Sequence, residues 1–132
     1  MAVFGAYLTT APIRANAKPA FGAITTFASV PAVPGFPEGV AVHGNSVFVS
    51  GPARFGTAGT GPSTINVYNR KTGQLEQTIV VQGEALAFEH ALSNLAIDSQ
   101  GRIYVLSTQL GLIRFTKQGQ SYVQSAYGAP LP

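Results

Sequence analysis

The chain has 132 residues, 45% apolar and only 10% charged, with 15 glycines, 9 prolines, no cysteine and a net charge of +3. That is enough apolar material for one packed domain, and the missing Cys removes disulfides, Cys-ligated zinc and thiol nucleophiles. Lys and Arg are scattered and no apolar run reaches the length of a bilayer span, so a nucleic-acid partner and a membrane-spanning helix are both excluded. A chain with so few charges and so many turn formers suits an all-β fold better than a helical one.

Residues 1–22 form an N-terminal arm or a truncated export signal. Ala15-Asn16-Ala17 has the small-x-small form of a cleavage site, which points to a secreted or periplasmic protein. Against that, no basic residue precedes the apolar run, and Thr9, Thr10 and Pro12 interrupt it. A loosely docked arm on a cytoplasmic protein is the other reading. In residues 23–35, Ala23 to Ala28 carries β-branched and aromatic residues and reads as a lone strand. The Pro- and Ala-rich stretch from Pro31 to Pro37 is an extended connector that a helix could not cross.

Residues 36–82 read as one four-stranded antiparallel meander. Gly39 to Val42 and Ser46 to Ser50 are apolar strands joined by His43-Gly44-Asn45, turn residues that place His43 in an exposed and inert position. A Gly-, Pro- and Thr-rich loop from Gly51 to Ser63 follows, carrying Arg54 and Phe55. Thr64 to Asn69, the turn Arg70-Lys71-Thr72-Gly73, and Leu75 to Val81 complete the unit.

Residues 83–132 hold a crossover and a second meander. Gln82 to Leu92 carries Glu84, Glu89 and His90, with a helical turn expected around Ala85 to His90. About 55 residues after Gly39, a spacing within the range of propeller-type periods, the pattern recurs. Leu95-Ala96-Ile97 falls on Val40-Ala41-Val42, and Ile103-Tyr104-Val105 on Val47-Phe48-Val49. Leu112 to Thr116 matches Ile65 to Asn69, and Ser121 to Tyr127 supplies the fourth strand. The expected fold is therefore two four-stranded blades of a β-propeller. Two blades cannot close a ring, so the remaining blades are expected in cis, from a longer polypeptide, or in trans, from identical protomers.

Phe36-Pro37-Glu38-Gly39 and the segment Asp98-Ser99-Gln100-Gly101-Arg102-Ile103-Tyr104-Val105 resemble the regucalcin (SMP-30), gluconolactonase and strictosidine-synthase-like group of six-bladed propellers. The resemblance covers about Thr25 to Tyr127, and NHL-type propellers share the second of these motifs. It implies a fragment of a sugar-lactone hydrolase, in which Glu38 ligates a divalent metal, usually Ca²⁺, at the channel mouth. A hard cation does prefer carboxylate oxygen. The family's other ligands and its general base would come from later blades. In the second blade Ser93 takes the ligand position in this register, and a one-residue shift would put Asn94 there instead. Asp98 is expected to be structural, accepting backbone N–H groups of the Ser99-Gln100-Gly101 turn.

Other candidates are weaker. Glu89 and His90 could supply a general base or a metal ligand, but with no third partner at ligand spacing a surface crossover is preferred. Arg54 lies in the longest loop, where it could contact a carboxylate or lactone oxygen. No Gly-x-Ser-x-Gly elbow and no phosphate-binding Gly-rich motif occurs. Three functional readings stand: a lactonase or esterase-type hydrolase with a small lactone or ester substrate once the propeller is complete, a non-catalytic NHL-like binding module, and a two-blade protomer that oligomerises into a ring.

Overall fold

The computed structural model describes residues 20–31, 36–51 and 56–128. Among them the protein is all-β, with two four-stranded antiparallel sheets built as consecutive meanders. The first blade contains β1 (Gly39–His43), β2 (Ser46–Gly51), β3 (Thr64–Asn69) and β4 (Leu75–Val80). The second contains β5 (Leu92–Ile97), β6 (Ile103–Ser107), β7 (Gly111–Gln118) and β8 (Ser121–Ala126).

Local chemistry sets the turns. Gly44 and Asn45 link β1 to β2, and Gly44 takes a φ of +58°, a conformation open to glycine at little cost. After β3 the Asn69 carboxamide oxygen accepts the Lys71 and Thr72 amides at 2.9 and 3.2 Å, closing the turn predicted there. In blade 2 Asp98 does the same work. Its Oδ1 accepts the Gln100 and Arg102 amides, and its Oδ2 accepts Arg102 Nε at 2.6 Å and the Tyr104 hydroxyl at 3.1 Å. Burial pushes the Asp98 carboxyl up, but these donors outweigh it and hold the group at about 2, so its expected structural role is what the geometry shows.

The repeat is visible in the strand pairing. Val40 faces Val49 and Ala41 faces Phe48 in blade 1, as Leu95 faces Val105 and Ala96 faces Tyr104 in blade 2. Val49 then faces Asn66, and Val105 faces Ile113. The correspondence fails at two places, the first being a register shift between Val67 and Tyr68 in β3–β4 that β7–β8 lacks. Between Leu92 and Leu95 the register shifts, so that Ser93 and Asn94 together oppose the single residue Leu106.

One core joins the blades. One face of blade 1 presents Phe48, Ile65, Val67 and Ile79, and blade 2 answers with Leu95, Ile103, Val105, Ile113 and Phe115, all buried in a single cluster. Phe48 and Tyr122 meet edge to face at 6.4 Å. The outer strands are clipped together by the Gln124 carboxamide, which accepts the Gln82 amide and donates to its carbonyl, each at 2.9 Å.

Two expectations are corrected. Ala23 to Ala28 forms no strand and joins neither sheet edge; the chain instead crosses blade 1, where Ser29 O accepts the Tyr68 hydroxyl at 3.1 Å and Phe27 O lies against Gly73. The crossover holds no helix, only a turn closed by the Phe88 amide on Ala85 O at 2.9 Å. The export-signal residues Ala15-Asn16-Ala17, most of the Pro-rich connector, and Arg54 with Phe55 lie outside the described residues.

Candidate functional site

Glu38 stands one residue before β1, and its amide donates to Ser50 O at 2.9 Å, extending the β1–β2 ladder. Its side chain is exposed. What brings a second blade to this place is Gly39. A Cβ there would lie 2.5 Å from Ser50 Oγ, 2.8 Å from Leu95 N and 3.0 Å from Asn94 Cα, so only glycine allows the starts of β1 and β5 to touch. Ser50 Oγ donates to Ser93 O at 2.8 Å and locks the contact. The residue that follows Glu38 thus lies against the bulge at Ser93 and Asn94, with Asn94 exposed and Ser93 partly buried.

These groups offer oxygen donors suited to a hard cation. Among the described residues no three His, Asp or Glu side chains converge.

Glu89 and His90 belong to a different place. The Thr57 amide, with the Gly56 amide and the Thr57 hydroxyl, sits 2.9–3.0 Å from Glu89 Oε2 and holds its carboxyl below the ordinary 4.5 against the opposing cost of desolvation. The Thr57 hydroxyl also accepts the His90 amide at 2.9 Å, and its single proton is shared between Glu89 Oε2 and His90 O, which lies 2.8 Å away. Glu89 is therefore a pin that fastens the long β2–β3 loop to the crossover. His90 is not on the surface, as expected from the sequence, but 1% exposed. Its Nδ1 faces Phe88 O at 3.0 Å and its Nε2 faces Gly61 O at 2.9 Å. Burial disfavours the charged ring, yet the two carbonyls, with the Glu84 and Glu89 carboxylates behind them, raise its pKa above 6.5. A ring whose nitrogens both donate has no lone pair left to bind a metal or take a proton.

A pocket of about 280 Å³ opens beside the crossover, between Val80 of β4 and Glu84 and Leu86. It lies at the β4 edge of the first sheet, the opposite edge from β1 and Glu38. The function of Glu89 was beyond sequence reasoning because its partner Thr57 is 32 residues away. Among the described residues no helix is long and apolar enough to cross a membrane. Comparison with protein-family models, curated proteins and solved structures returns no match.

Proposed function

We propose that this chain is a two-blade segment of a propeller resembling the SMP-30 and gluconolactonase group, and that Glu38 and Asn94 give a divalent cation, Ca²⁺ by preference, its first oxygen ligands. The observation that carries this reading is the close approach of β5 to Gly39, which sets the Asn94 backbone beside the residue that follows Glu38. Carboxylate and carboxamide oxygens from two strand starts suit a hard cation, and flexible coordination by six to eight oxygens leaves room for donors from other blades. In a completed ring such an ion would polarise an ester or lactone carbonyl and acidify a bound water. This chain's share of that work is to hold donors in place. Gly39 sets the spacing, Ser50 ties the bulge, and Asp98 holds the turn that follows β5. A secreted or periplasmic location is part of the same reading and rests on Ala15-Asn16-Ala17 alone.

Titration with Ca²⁺, followed by calorimetry, tests the ligand assignment. Glu38→Gln keeps the size of the side chain and removes the charge, and is expected to weaken binding by about tenfold or more. Asn94→Ala should weaken it less. Equal affinity of the parent chain and Glu38→Gln would sink the reading.

A further inference from the structure

Each blade buries one face and leaves the other partly open, and the repeat relates the two partly open faces to each other. Blade 2 meets blade 1 through Leu95, Ile97, Ile103 and Val105; their counterparts in blade 1, by the shared register, are Val40, Val42, Val47 and Val49. Leu95 is 9% exposed, but Val40 and Val42 are 67% and 54% exposed. The same surface is covered across blade 2, whereas in blade 1 it is covered at Asn66 and Tyr68, half-buried at Val47 and Val49, and bare along β1.

The opposite surface behaves likewise. Blade 1 receives blade 2 on Ala41, Phe48, Ser50, Ile65 and Val67. In blade 2 the counterparts are Ala96, Tyr104, Leu106, Leu112 and Arg114. Ser50 is 0% exposed, whereas its counterpart Leu106 is 38%, and Val123 and Tyr127 on the same side of blade 2 are 45% and 53%. Here Tyr104 and Tyr127 stand edge to face at 4.8 Å, Arg114 lies over the Tyr127 ring, and the Arg114 Nε is buried without an acceptor.

The bare face of blade 1 is thus the counterpart of a surface that already docks, and the bare face of blade 2 is the counterpart of the surface it docks on. Contacts of this kind are heterologous: one face meets a different one, and repetition either closes a ring or runs on. We propose that the open face of blade 2 receives the open face of blade 1 of a second copy of this chain, so that about two to four copies close a ring of about four to eight blades. The occupant is a second copy because the one interface visible here, between blades 1 and 2, is the template for the missing one. The arm lies over the Tyr68 side of blade 1's open face, where Ile24 and Phe27 are themselves exposed, and leaves Val40 and Val42 free. The inference stands apart from cation binding, since no ligand is needed for the faces to meet.

Light scattering and native mass spectrometry of the 132-residue chain test it. The expected result is one discrete mass at two, three or four times 13.7 kDa, unchanged on dilution through the micromolar range. Val40→Asp spoils the offered face and Leu106→Lys the receiving face. Both sites are exposed within one copy, so each variant should keep the parent far-UV spectrum and lose the ring. Mixing the two leaves one competent pair of faces, and a one-to-one heterodimer is expected. Val42→Asp with Val123→Lys repeats the experiment should either first variant unfold. Three outcomes overturn the proposal: a folded parent chain that stays monomeric, open-ended growth without a discrete mass, or an oligomer that Val40→Asp destroys and Leu106→Lys leaves intact, which would mean that like faces pair.

Discussion

A buried imidazole between two carbonyl oxygens has little choice of protonation state. His90 satisfies both only when each nitrogen carries a proton, and Glu84 and Glu89 favour the resulting charge. Its pKa is therefore raised on folding, so its contribution to stability is fully present below pH 6.5 and is lost as the pH climbs through the higher folded value. The urea midpoint of the parent protein should fall as the pH rises above neutrality, while His90→Gln should show a flatter profile and a loss of about 2–3 kcal/mol at pH 6. Parallel profiles for the two proteins would mean that the ring is not charged in the folded state. Asp98 is the opposite case. Held at about 2, it stabilises the fold above its ordinary 3.8 and stops doing so as acid protonates it. The role of Asp98 was legible in the sequence because its amide donors lie within four residues. That of Glu89 was not, because a carboxylate pinning a distant loop looks the same in sequence as one facing solvent.

At the scale of the element, strand existence was legible and strand pairing only partly. Short apolar runs bounded by Gly, Asn and Asp announce the eight strands, since hairpin turns need those residues and covered strands need the apolar ones. Ala23 to Ala28 has a similar composition and forms no strand, because propensity cannot supply a ladder partner. The bulge at Ser93 and Asn94 was equally hidden: it depends on what β6 places opposite. Gly39 gives the sharpest test at this scale. Gly39→Ala would force a methyl group into Ser50 Oγ and the Leu95 amide, and should cost about 1–3 kcal/mol in chemical denaturation. Gly61→Ala, where nothing lies within 4 Å of the new carbon, should be neutral or slightly stabilising. If both changes cost the same, the close approach of β1 and β5 is not what glycine serves.

Across the whole molecule the two blades share one core, and neither could bury its apolar face alone. They should therefore unfold together. Phe48→Ala removes the ring that meets Tyr122, and should lower stability by about 3–5 kcal/mol while leaving a single transition. Near-UV signals from tyrosines of both blades should move at one denaturant concentration; two separated transitions would show that the blades are independent. The architecture was legible in the sequence because four successive strands recur in order. Of the proposed cation ligands only Glu38 was legible, since which strand starts lie against each other depends on the fold.

The bulge at Ser93 and Asn94 bears on symmetry. It makes the start of β5 neutral and one residue longer than the start of β1, where an acid stands. Blades that look alike in their strands therefore differ where those strands begin. Around the axis of any closed assembly of such pairs, negative and neutral positions would alternate. The rotational order of the electric field there would be half the number of blades.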